Sequence, residues 1–348
     1  MPEGMIPLPR QFPQTPPHAS APPLTVAMSV YNGERFLAPA IESILAQTYP
    51  DFEFLILDDG STDTTAQILR DYARRDPRIR PIIRENRGLV ASLNQLLDEA
   101  RAPLVARMDA DDICHPERFA QQVAFLAANP DHGVVGSWSE DIDEQDQRWP
   151  IEGADHPVTH EDFLHNIRFG GPLLVHPGVM YRRELVLAQG GYHRAFLHCE
   201  DLDLWLRLAS VTKIANIPVR LIRYRHYDGQ VSKKYATVQQ VGAAVAYEAW
   251  HLREAGRPDP TANLDRLPPI EELEALFSQP GTAHRVRERV TNGILYSPVA
   301  LRDEGFDIVL RHVREGGRVD GIWRTVARLI RFGEPVRALQ LAAALALT

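Results

Sequence analysis

Residues 24–61 read LTVAMSVYNGERFLAPAIESILAQTYPDFEFLILDDGS. Leu24 to Val30 is a short, mostly apolar run closed by Tyr31-Asn32-Gly33, the pattern of a buried strand. Phe36 to Gln47 follows with Ile41, Ile44 and Leu45 on one helical face. Phe52 to Leu57 is a second strand, ending in the turn Asp58-Asp59-Gly60-Ser61. This strand–helix–strand unit then repeats. Asp63 fits the cap of a helix that ends near Arg74. Ile79 to Ile83 reads as a strand, Gly88 to Ala100 as a helix, and Leu104 to Met108 as a fourth strand. That strand runs straight into Asp109-Ala110-Asp111-Asp112. Four such units in about 90 residues predict an α/β fold with a mainly parallel sheet and helices on both faces.

The pattern loosens further on. Pro116 to Ala128 reads as a helix, and Val134 to Trp138 and Gly178 to Tyr181 as strands. Glu200 to Ala209 reads as a helix whose apolar stripe is Leu202, Trp205, Leu206 and Ala209. From Ala236 strand signals fade, and Ala, Leu, Arg and Glu dominate, broken at Pro258, Pro268, Pro269, Pro280 and Pro298. Before Leu24, eight prolines fall within 23 residues, too little apolar material for a helix or a core. The expected division is therefore a disordered Pro-rich arm (1–23), an α/β domain (24–235) and a helical C-terminal region (236–348).

Composition narrows the function. With 46 acidic residues against 38 basic ones, the formal net charge is −8, which lacks the basic footprint of a nucleic-acid binder. Cys114 and Cys199 are the only cysteines, so neither a disulfide framework nor a cysteine-rich zinc site is available. The arm lacks the apolar run of a secretory signal, and no segment reaches the ~18 continuous apolar residues of a membrane span. A cytoplasmic location is expected, with peripheral contact at the inner face of the membrane left open.

In open parallel sheets, ligands gather at the carboxyl ends of the strands. Tyr31-Asn32-Gly33, Asp58 to Ser61 and Asp109 to Asp112 all fall at such ends. Asp109 and Asp111 are carboxylates able to face one hard cation, Mn2+ or Mg2+, which leaves coordination places for phosphate oxygens. The plainer alternative is an acidic turn before the helix at Pro116. Neither a Gly-rich lysine loop nor a Gly-x-Gly-x-x-Gly follows the first strand, which disfavours an ordinary ATPase and a dinucleotide enzyme.

Seven segments carry a resemblance: MSVYNGERFL (28–37), IESILAQTY (41–49), DDGSTD (58–63), NRGL (86–89), ARMDADD (106–112), GGY (190–192) and EDLDLWLR (200–207). In this order they resemble a family-2 glycosyltransferase with the GT-A (Rossmann-like) fold, over about Leu24 to Ser232. The resemblance implies an inverting enzyme that moves a sugar from a nucleotide-sugar donor, read as a UDP-sugar, to the hydroxyl of a saccharide or lipid-linked acceptor. Polysaccharide or glycoconjugate synthesis is the implied setting. It implies that Asp59 hydrogen-bonds the uracil ring, that Ser29 and Tyr31 line the base pocket, and that Arg87 lies in the loop beside it. Asp109 falls near ribose and metal, Asp111 on the metal that bridges to the diphosphate, and Asp201 on the catalytic base with Glu200 as its neighbour. Many relatives place a histidine where Tyr227 stands, so His226, one position early, is a weaker metal candidate.

Other readings remain beside these. Glu200–Asp201 also reads as an acidic helix start favoured by the helix dipole. His176-Pro177-Gly178 resembles an acceptor-side loop and also reads as a plain turn into a strand. Arg223 and Arg225 read equally as phosphate contacts or as a solvated basic face. Trp323, Val326, Leu329 and Ile330 among Arg324, Arg328 and Arg331 suit either a membrane-surface helix or one packed on the catalytic domain or a second subunit. A non-catalytic sugar-nucleotide-binding protein of the same fold is the alternative function. A sugar-nucleotide pyrophosphorylase would need a Gly-rich basic loop after the first strand, which Tyr31-Asn32-Gly33-Glu34 does not supply.

Overall fold

Apolar runs that alternate between two covered faces set the sheet. In the computed structural model, which describes residues 21–149, 155–230 and 234–347, β1 (Leu24–Val30), β2 (Glu53–Asp58), β3 (Ile79–Ile83) and β4 (Leu104–Asp109) lie parallel to one another. Val26, Met28, Phe54 and Ile56 enter one apolar core, while Ala27, Leu55 and Leu57 enter the other. Burial on both faces is why these strands read as near-continuous apolar runs. All but the last three residues of the expected Pro-rich arm lie outside the described residues.

Helices α1 (Leu37–Leu45), α2 (Thr65–Arg75) and α3 (Leu89–Glu99) connect these strands. Each lies within one or two residues of its expected span. Asp63, expected as the cap of α2, sits one residue before the cap position Thr64 and still accepts the N–H of Thr65 at 2.9 Å.

The sheet continues through β5 (Ile113–Cys114), β6 (His132–Ile142), β7 (Met180–Arg182) and β8 (Lys213–Arg225), in the order β3-β2-β1-β4-β7-β6-β8-β5. β7 runs antiparallel to both β4 and β6, so the sheet is mixed, and β8 lies parallel to β6. The sequence reading missed β5 and β8 and gave β6 only five of its eleven residues. It also missed α5 (His160–Phe169), whose Thr159 hydroxyl accepts from the Asp162 N–H. The remaining helices of this half are α4 (Arg118–Ala128), α6 (Arg183–Ala188) and α7 (Glu200–Leu208).

The apolar stripe expected on α7 is a ring instead. Leu204, Trp205, Leu206 and Leu208 are all buried, and Leu202 only partly so. Asp203 is buried as well, because Arg207 one turn later pairs with it at 2.8 Å. The reason is α8 (Ala236–Glu254), which packs on α7 from the other side. At Gly242 a Cβ would overlap Cys199 Sγ, so the glycine sets how closely the two helices approach.

Beyond α8 come α9 (Leu273–Phe277), α10 (Thr282–Ile294), α11 (Pro298–Arg302), α12 (Gly305–Arg314), α13 (Ile322–Arg331) and α14 (Pro335–Leu347). Their buried faces join the same apolar cluster as one face of the sheet. Among the described residues no helix is long and apolar enough to cross a membrane.

Candidate active site

Three strand ends meet at the carboxyl edge of the parallel half. Ser29 in β1 is registered against Asp109 in β4, and Val30 against Asp58 in β2. The loops beyond are stitched together: Asn32 N–H donates to Ser61 Oγ at 2.8 Å, and Gly33 N–H donates to Thr65 Oγ1 at 2.9 Å. Asn32 adopts a left-handed φ of 50°, a conformation asparagine tolerates, and its side-chain oxygen accepts the Thr62 N–H. Tyr31 stands exposed above this join, and Ser29 is half-buried beneath it.

Asp59 is almost fully buried. Its Oδ1 accepts from Arg87 N–H and pairs with Arg84 Nη1, both at 2.9 Å, and its Oδ2 accepts from Gly88 N–H at 2.8 Å. Arg87 thus meets Asp59 through its backbone, while its guanidinium pairs with Glu85 in solvent. Arg84 was missed by sequence reading. Gly60 is held at a φ of 79°, and a Cβ there would collide with the backbone N of Asn86.

The fourth strand end is the electrostatic centre. Ligand atoms of Asp109, Asp111 and Asp112 lie within 4.8 Å of one another. Burial and the neighbouring Asp109 charge push the Asp111 carboxyl up to about 6, and burial raises buried Asp112 well above the usual carboxylate range. Asp112 Oδ1 accepts the Arg225 N–H at 2.8 Å, while its Oδ2 is buried with no partner. Crowded, under-neutralised carboxylates with an unsatisfied buried oxygen fit a hard divalent cation. Beneath them lies Arg107, buried and paired with Asp109, and its guanidinium is held more firmly protonated by that contact. Arg107 was also missed, although a visible signal existed. It is the one charge in the apolar run Leu104–Met108 and sits two residues before Asp109, hence on the same face.

Tyr227 hydrogen-bonds Asp111, and its ring packs on Phe36 with centroids 5.3 Å apart. Burial and the Asp111 charge raise the phenol's pKa, so it stays a donor. His226 is not in the carboxylate cluster. Its Nε2 faces Asp141 Oδ1 at 3.2 Å, and its ring lies 5.1 Å from both Trp149 and Tyr224. Arg223 pairs with Glu140 at 2.9 Å. Arg225 is buried, not a solvated face. Its Nε donates to Asp111 O at 2.7 Å, its Nη1 donates to Asp143 O at 2.9 Å, and Asp146 Oδ1 takes the remaining arm at 2.6 Å.

A cleft of about 530 Å³ opens over this centre, and its walls include Arg107, Asp109, Asp111, His176, Glu200, Asp201 and His226. Glu200 and Asp201 reach it from the first turn of α7. Burial raises both carboxyls, Glu200 to about 8 with help from the Asp201 charge, and Glu200 Oε2 has no partner. His176 begins a single 3-10 turn (His176–Gly178) ahead of β7. Its Nε2 lies 3.1 Å from the Tyr192 hydroxyl, and burial beside Arg107 keeps the ring neutral. The fold therefore brings Asp109, Asp111, Glu200, Asp201 and His226 to one cleft. Ser29, Tyr31, Asp59 and Arg87 stand beside it at the adjoining strand ends and do not line it.

The mixed, mainly parallel sheet thus sets its acidic strand end and a second carboxylate pair around one cleft. The chain belongs to the family-2 glycosyltransferases: residues 25–188 match the family described as Glycosyl transferase family 2. It is 38% identical over 236 residues to EpsE of Bacillus subtilis (strain 168), covering 66% of this chain and 82% of EpsE. It is 30% identical over 217 residues to the amylovoran biosynthesis glycosyltransferase AmsE of Erwinia amylovora, covering 60% of this chain and 79% of AmsE. Among solved structures, S. aureus TarS 1-349 in complex with UDP-GlcNAc superposes with a TM-score of 0.56 at 17% identity, covering 93% of this chain and 90% of that one. The mannosyltransferase PcManGT from Pyrobaculum calidifontis, in complex with GDP-Man and Mn2+, superposes with a TM-score of 0.52 at 18% identity, covering 94% and 88%. These two show that the GT-A fold is shared.

Proposed function

We propose that this glycosyltransferase is a divalent-metal-dependent, inverting enzyme. It moves a hexose or related sugar from a UDP-sugar to the hydroxyl of a saccharide or lipid-linked acceptor, in cytoplasmic synthesis of a polysaccharide or glycoconjugate. The observation that carries this reading is the pairing of two carboxylate groups across one cleft, Asp109 and Asp111 on one wall and Glu200 and Asp201 on another. The two structural neighbours, one in complex with UDP-GlcNAc and one with GDP-Man and Mn2+, support a nucleotide-sugar donor and a metal. The setting is supported by AmsE, whose name places it in amylovoran biosynthesis. Residues 24–235 carry transfer in this reading, and α8, backed by the helices after it, buttresses α7.

Each residue has a physical task. A carboxylate offers about four acceptor sites, and three of those on Asp59 are taken by Arg84, Arg87 and Gly88. The fourth is left for a ring N–H of the base, with Tyr31 free to stack on it and Ser29 lining the pocket. Arg87 shapes the pocket through its backbone. Asp109 and Asp111 would hold Mn2+ or Mg2+, with Asp112 behind them; His226 is the weaker candidate. Bound there, the cation neutralises the charge that grows on the leaving diphosphate. Asp201 accepts the proton of the attacking hydroxyl. Its raised affinity for a proton suits that role, and Glu200, largely protonated at neutral pH, lets Asp201 stay ionised at its side.

Two variants separate these tasks. Asp111→Ala should abolish metal-dependent binding of the donor in titration calorimetry. Asp201→Asn should bind donor as the native chain does and lose transfer by a factor of roughly 10²–10⁴. Full transfer in either variant would remove that residue from its role.

A further inference from the structure

The C-terminal helical hairpin carries a surface that transfer chemistry does not use. The apolar residues of α13 divide into two faces. Ile322 and Leu329 are buried, whereas Trp323 is 57% and Ile330 61% exposed. Trp323 and Ile330 are seven residues apart and so lie on one line of the helix, about 20° from exact register. Arg324 and Arg331 stand beside them, exposed, and have no ion-pair partner among the described residues. Across the turn, α14 exposes a second apolar pair: Val336 is 69% and Leu339 72% exposed, three residues apart, and Arg337 between them pairs with Glu334.

The charge on this hairpin reverses that of the molecule. From Arg318 to Leu347 there are five arginines and two carboxylates, in a chain of net charge −8. One of the two carboxylates, Glu334, is already matched by Arg302 and Arg337. A tryptophan and an isoleucine flanked by free arginines suit an interface whose interior is apolar and whose surface is anionic. Arginine stems can lie along apolar surface while their heads stay in the polar layer. A symmetric pair of chains suits it less. A twofold contact sets the same patch against itself, so two arginine-rich patches of like charge would face each other.

We infer that the α13–α14 hairpin is a docking face for an anionic lipid bilayer and holds the enzyme at a membrane surface. The inference stands apart from the donor and metal assignments and survives their failure. The test is flotation of the full chain with phosphatidylcholine vesicles, with and without phosphatidylglycerol, at low and high salt. The chain should float only with phosphatidylglycerol present and should be released by salt. Arg324→Gln with Arg331→Gln should weaken partitioning roughly fivefold per arginine. Trp323→Glu with Leu339→Glu should abolish it while transfer to a soluble acceptor is unchanged, which shows that the fold is intact. No flotation with phosphatidylglycerol, or flotation untouched by the Trp323→Glu, Leu339→Glu pair, would overturn the inference. So would a lipid-free dimer that those substitutions dissolve, which would assign the face to a second copy.

Discussion

Glu200 shows what one buried carboxyl does to both stability and chemistry. Its pKa is raised from the ordinary carboxylate value to about 8, by burial first and by the Asp201 charge second. Between these values the folded chain holds a proton that the unfolded chain has released, so the folded state loses stability as pH rises through that window. Glu200→Gln keeps the shape and removes the titration. Its melting temperature should exceed that of the native chain by a margin that grows from pH 5 to pH 9. A constant margin would mean that Glu200 ionises normally. Arg107 is the counterpart in charge. With Arg107→Met, Asp109 loses its buried partner, and the carboxylate centre would lose about 3–5 kcal/mol of support, read as a shift in the denaturation midpoint. The acidic residues at this scale were legible, because Asp109, Asp111, Glu200 and Asp201 stand in short, recognisable runs. The basic ones were less so. Arg84 and Arg107 act through contacts made only when distant strands meet.

At the scale of elements, legibility followed burial. β1 to β4 are covered on both faces, and their apolar runs announced them. β8 did not announce itself, since KIANIPVRLIRYR mixes Pro218 and three arginines into thirteen residues. It shifts register against β6 on both sides of Trp138, so no clean alternation survives. Yet β8 delivers Arg225, which ties the acidic loop to Asp143 and Asp146. Arg225→Met should loosen residues 141–149, visible as faster amide exchange there, and unchanged protection would refute the tie. α7 and α8 meet at Gly242 and Cys199, a contact that no local pattern could reveal. Gly242→Ala should cost about 1–3 kcal/mol by overpacking, and the loss should shrink in a Cys199→Ala background. Additive losses would mean that the two side chains do not compete for space.

At the scale of the molecule, the parallel half of the sheet presents the strand ends beside Asp59, and α7 walls the cleft with Glu200 and Asp201. Several of the chain's carboxylates, Asp109, Asp111, Glu200 and Asp201, line the cleft where a cation would offset them, so a net charge of −8 is compatible with a phosphate-bearing substrate. The ordered motifs made the family readable from sequence. Acceptor specificity was not, because the loops around the cleft take their shape from long-range packing. The most direct measurement is titration calorimetry of UDP-, GDP- and dTDP-sugars with manganese and with a chelator. A UDP-sugar should bind with manganese and at least about tenfold more weakly without it, a difference of about 1.4 kcal/mol. Binding indifferent to the metal, or the absence of any nucleotide-sugar binding, would contradict the account.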